Sequence, residues 1–201
     1  MNRGIVAAVI LAIAYTTCLA QPACGSRDVE NVAGAIDVLT KRSPSETDPD
    51  NRKCIEAAIA AVSQFRSAKA VPELIRYLEY RRSDKDKEPD TVLLHPYIEG
   101  HDYPAVVALS RIGAPARSLL LKVIKSRNTS VLERQNAAHA ILLSFVHEPN
   151  GNPGDGIRFI REAEATTNAQ SAEQMEQVIA YLLGTPACQR SAPKCDITNR
   201  R

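Results

Sequence analysis

From residue 28 onward, apolar residues return every three or four positions, the period of one face of an α-helix. Val29, Val32, Ala33, Ile36 and Leu39 make the first stripe, with Asp28 placed to cap that helix or to lie in its first turn. Ser43–Asp50 reads SPSETDPD, two prolines among turn formers, and predicts a loop. Ile55, Ala58, Ile59, Val62 and Phe65 mark a second helix that ends near Arg66. Ser67-Ala68-Lys69 then links tightly to a third helix over Val71–Arg82. Pro72 sits in its first turn, where an N–H has no helical partner to lose, and Leu74, Ile75, Leu78 and Tyr77 face inward. No segment alternates apolar and polar residues with a period of two, so no strand is predicted and the fold class is all-α.

The helices repeat in pairs. Ala61-Val62-Ser63-Gln64-Phe65 followed by Ala70-Val71-Pro72-Glu73-Leu74-Ile75 returns as Ala108-Leu109-Ser110-Arg111-Ile112 followed by Ala116-Arg117-Ser118-Leu119-Leu120. A third copy starts at Ala137-Ala138-His139-Ala140-Ile141, with its partner helix over Gly156–Ala165. The Ile112-Gly113-Ala114-Pro115 turn ends one helix on glycine and opens the next with proline. His147–Asp155 (HEPNGNPGD) is a turn-rich spacer, without the alternating acids of a calcium loop.

The stretch Tyr103–Leu121 (YPAVVALSRIGAPARSLLL), with Cys54–Leu78 and Arg134–Phe145 beside it, resembles the bacterial HEAT-type repeats also seen in phycobilin lyases. The resemblance spans about residues 50–183. It implies a short right-handed α-solenoid of HEAT-like helix pairs that offers a binding surface. No lyase cysteine or chromophore motif is matched, so that chemistry is not carried over.

The N-terminus follows a different pattern. Arg3 and the apolar run Ile5–Tyr15 precede small residues ending at Ala20, the layout of a signal peptide over 1–20. The apolar core is about half the roughly 20 residues of a membrane span, which favours cleavage after Ala20, leaving no membrane span, over the alternatives of a retained anchor or a lipoprotein. The expected organisation is therefore a signal peptide over 1–20, a repeat domain over 21–184 and a cysteine-containing tail over 185–201. The expected location is periplasmic or extracellular.

Composition narrows the function classes. The 201 residues are 44% hydrophobic and 4% aromatic with no Trp, so the core is expected to pack through small residues at close helix contacts. A net charge of +2, from 25 basic and 23 acidic residues, lacks the basic excess that nucleic acid binding needs. Cleavage leaves Cys24, Cys54, Cys188 and Cys195, an even set suited to two disulfides with three possible pairings. Cys188 and Cys195 flank a short Pro-containing loop that can close locally. Cys24 with Cys54 is harder: if 28–41 and 51–66 are antiparallel helices, the second starts about 20 Å from the start of the first at about 1.5 Å per residue. The chain from Cys24 spans only about 13 Å, and bridged Cα atoms lie within about 7 Å. Pairing of Cys54 with Cys188 or Cys195 stays open.

Candidate chemistry gathers in the insertion Ser83–Asp102. Its second half (LLHPYIEGH) supplies His95, Glu99 and His101, with Asp102 next, which can ligate a divalent metal or pair a base with its orienting acid. The same loop, apolar in Leu93, Leu94, Tyr97 and Ile98, can instead pack onto the helices. His139, between alanines, is expected to hydrogen-bond between helices. Asn128-Thr129-Ser130 matches a glycosylation acceptor in form. No nucleophile elbow, P-loop or H-E-x-x-H motif occurs, so neither catalysis nor a cofactor is expected. Two functions follow. The first is a non-catalytic scaffold binding a protein or peptide, with Arg76, Tyr77, Tyr80 and Arg81 as contact residues because Tyr and Arg dominate binding hot spots. The alternative is a metal-binding module or metal-dependent enzyme built on His95, Glu99, His101 and Asp102.

Overall fold

A computed structural model describes residues 29–82, 102–184 and 188. Among these residues there are eight α-helices and no strand, as the apolar period predicts. Asn31 caps α1 (Val32–Lys41) by accepting from Gly34 N–H at 2.9 Å, so the helix starts after the expected Asp28, which lies outside the described residues. Asp48 caps α2 (Pro49–Gln64) with Pro49 in its first turn, which draws the end of the expected loop into the helix. Arg66 takes a left-handed conformation (φ 47°) that turns the chain after α2 into the 3-10 turn Ala68–Ala70.

The third helix is shorter than its stripe predicts: α3 covers Val71–Arg76 and does not run on to Arg82. Beyond Arg76 the chain carries the buried Tyr77, Leu78 and Tyr80 in tighter turns. Tyr77, Leu78 and Tyr80 N–H groups each donate three residues back, to Leu74, Ile75 and Tyr77 carbonyls.

Gly113 separates α4 (Pro104–Ile112) from α5 (Ala114–Lys125) at φ 78°, with Pro115 in the first turn of α5. Ser130 caps α6 (Val131–Val146) by accepting from Glu133 N–H, and Asn152 caps α7 (Pro153–Glu164). Asn168 caps α8 (Ala169–Leu183). The spacer ahead of α7 thus ends at Asn152, because Pro153 is a first-turn proline and belongs to the helix.

Helix α6 lies at the centre, packed by α4, α5, α7 and α8. Its whole stretch from Asn136 to Ser144 is buried. Small residues allow this crowding: Ala137, Ala138 and Ala140 on α6, and Ala105, Ala108 and Ala116 on its neighbours, are fully buried. Helix α7 comes close enough that a Cβ on Gly156 would stand 2.8 Å from Leu142 Cα of α6.

Two glycines therefore fail for different reasons. Gly156→Ala forces a methyl against backbone, which cannot swing aside, and is expected to cost about 1–3 kcal/mol by prying α7 from α6. At Gly113 nothing lies within 4 Å of a new Cβ, so Gly113→Ala carries only the strain of positive φ, about 1–3 kcal/mol. Urea midpoints check both. A Gly156→Ala midpoint equal to wild type would contradict the α6–α7 contact.

Candidate functional site at the base of the insertion

The two ends of the insertion meet. Arg82 N–H donates to Asp102 O at 2.8 Å, and Arg81 Nη2 donates to Asp102 Oδ2 at 3.0 Å. The described chain on either side of residues 83–101 thus meets at one place.

That place is built on a platform of tyrosine and arginine. Arg52 reaches from α2, donating from Nη2 to Arg81 O at 2.6 Å and from Nη1 to Glu46 O at 3.2 Å. Its guanidinium also lies 4.8 Å above the Tyr80 ring. The Tyr80 hydroxyl lies 3.3 Å from both Arg52 O and Glu56 Oε1, and Arg82 Nε lies 3.3 Å from Glu56 Oε2. Tyr77 packs edge-on against Tyr80, ring centroids 6.0 Å apart. Its hydroxyl proton is shared between Leu39 O and Arg42 O, each at 2.9 Å, at the end of α1. Arg42 in turn donates to Asn51 on α2.

Burial sets the protonation state of both phenols. Desolvation, opposed in part by Arg76, pushes Tyr77 up to about 12. Desolvation pushes Tyr80 upward too, with the Glu56 carboxylate adding to it. Both remain neutral donors at neutral pH, and neither can serve as a phenolate base.

Of the four residues expected to meet a partner, the two tyrosines are inside. Tyr77 is 0% and Tyr80 2% exposed, so their rings are spent on packing and cannot be offered to a partner as they stand. Arg76 and Arg81 are at the surface, where Arg76 pairs with Glu73 at 2.6 Å and Arg81 with Asp102. Of the expected metal ligands, His95, Glu99 and His101 lie outside the described residues. Asp102 is held by Arg81. Among the described residues no three His, Cys, Asp or Glu side chains gather as a metal site.

No known family model, curated protein or solved structure matches this chain. Function is therefore read from the chain's own geometry.

A second polar cluster joins α5 to the end of α6, and no sequence pattern announces it. Arg117 Nε donates to Ser144 Oγ at 2.9 Å, and its Nη2 to Ser144 O at 3.3 Å and to Glu148. The same guanidinium stacks over the Phe145 ring, 3.4 Å from its centroid. A cation here meets the last carbonyls of α6, the negative end of that helix. Beside it Ser110 Oγ lies 3.4 Å from His147 Nδ1. This is not a hydrolytic pair. Ser110 is fully buried and donates to Val107 O at 2.8 Å, so no substrate carbonyl reaches it.

His139 is buried in α6, and desolvation lowers it to about 4. The imidazole is neutral at neutral pH. Cys54 is buried in α2, and Cys188 is buried and disulfide-bonded. Cys24 and Cys195 lie outside the described residues, as do the expected signal segment 1–20 and most of the tail. Among the described residues no helix is long and apolar enough to cross a membrane.

Proposed function

We propose that the protein is an exported, non-catalytic scaffold, a short right-handed solenoid of HEAT-like helix pairs that holds a protein or peptide partner. The observation that carries this reading is the order in which helices touch. The first helices of successive pairs form one row, α2 on α4 and α4 on α6; in the second row α3 packs on α5, and α8, not α7, takes the next place against α5. The insertion lies between the α2–α3 pair and the α4–α5 pair in the chain. Rigid helices presenting a loop tied at its base are a common way to carry a binding function.

In this reading Tyr77, Tyr80 and Arg52 hold the insertion in place, while Arg76, Arg81 and the insertion face the partner. Export supplies the oxidising surroundings in which the cysteines of the mature chain pair, with Cys188 to Cys195 as the local bridge. The test replaces residues 83–101 with a short Gly-Ser link. The clasped base predicts an unchanged helical circular dichroism spectrum and urea transition, with loss of a partner that wild type retains from the exported fraction. Wild type retaining no protein beyond a bait-free control would contradict the reading.

A further inference from the structure

The stretch from Tyr103 to Leu132 carries five basic residues, Arg111, Arg117, Lys122, Lys125 and Arg127, and no acid. Arg117 is spent on Glu148. Lys122 and Lys125 stand in the last turn of α5, and Arg127 follows in the turn to α6. Among the described residues none of these three lies within ion-pair distance of a carboxylate, although seven other pairs are formed. The turn is fixed: Thr129 Oγ1 lies 3.0 Å from Val123 O and 2.9 Å from Ser126 O, folding the elbow back on α5. Directly after it, Val131 is 60% and Leu132 38% exposed in the first turn of α6. Next along the chain from these cations, which have no carboxylate partner among the described residues, two adjacent aliphatics face water, giving a surface both basic and apolar.

We propose that this elbow, made of Lys122, Lys125, Arg127, Val131 and Leu132, docks an acidic segment of a partner protein that carries aliphatic side chains among its carboxylates. The inference rests on the protein-binding reading above and names the partner's chemistry. The cations would meet carboxylates, and the aliphatics would meet aliphatics, which separates this partner from a merely acidic one. Two acids flank the patch: Glu79, which accepts from Ser130 Oγ, and Glu133 at the start of α6. An anionic bilayer would press its phosphates against these carboxylates as well as against the cations. A peptide can pass them by, and the peptide is the occupant the charges favour.

The test measures fluorescence anisotropy with a labelled peptide of alternating glutamate and leucine against the full chain. Glutamate–serine and lysine–leucine peptides and phosphatidylglycerol vesicles serve as comparisons. The glutamate–leucine peptide is expected to bind at least about tenfold more tightly than either other peptide, and to weaken severalfold when salt rises from about 0.05 to 0.3 M. Lys122→Glu/Arg127→Glu and Val131→Ser/Leu132→Ser are each expected to lose at least about tenfold, with unchanged urea midpoints because the residues are on the surface. Equal binding of the glutamate–leucine and glutamate–serine peptides, undiminished binding by both variants, or binding to vesicles but not to peptide would overturn the proposal. If a partner captured from the exported fraction is held equally by wild type and Lys122→Glu/Arg127→Glu, the elbow is wrong and the scaffold reading stands. If wild type captures nothing, the scaffold reading itself fails.

Discussion

Tyr77→Ala is expected to destabilise the protein by about 3–5 kcal/mol, and Tyr77→Phe by about 1–3 kcal/mol. The alanine variant leaves a ring-sized cavity among α1, α2 and α3 and removes the edge-on partner of Tyr80. The phenylalanine variant keeps the ring and deletes only the hydroxyl, which is shared between Leu39 O and Arg42 O. Those carbonyls lie at the end of α1, where helical partners have run out, so the lost donor leaves buried acceptors unsatisfied. Urea unfolding of the two variants separates packing from hydrogen bonding. Losses under about 0.5 kcal/mol in both would mean that the ring is at the surface, free to contact a partner after all.

Acid is expected to weaken the fold through His139. Its folded value of about 4 lies below the ordinary 6.5, so between these values the unfolded chain binds the proton that the folded chain refuses. Stability from this group is therefore complete above about pH 6.5 and is lost as pH falls toward 4, by up to about 3 kcal/mol over that window. His139→Gln removes the titration, and its stability curve should flatten relative to wild type across the same window. Proton NMR of the ring gives the direct value. An imidazole titrating near 6.5, or wild-type and variant curves running parallel from pH 7 to 4, would contradict the burial of His139.

Where the sequence signal was local, it was legible. The Gly113–Pro115 break stands where expected because positive φ and a first-turn proline are local chemistry. The caps Asp48 and Asn152 moved helix starts by a few residues, since a proline one step later can open a helix as readily as it can close a loop. The end of α3 was not legible, because Tyr77 turns inward toward α1, whose acceptors lie 38 and 35 residues earlier in the chain. The site suffered from the same cause. Tyrosine and arginine at helical spacing look alike whether they face a partner or a core edge: the apolar stripe already turned Tyr77 inward while its residue type suggested a contact, and tertiary contacts put Tyr80 inside as well. The Arg117 clasp joins residues 27 and 31 positions apart, with no period to betray it.

Chemical cross-linking of the intact protein in its native surroundings, followed by mass spectrometry, tests the scaffold reading most directly. The account predicts cross-links to one distinct protein, concentrated on Lys122 and Lys125 or on the lysines of the insertion, Lys85 and Lys87. Cross-links confined to this chain, or scattered over many proteins and over lysines on every helix, would contradict it.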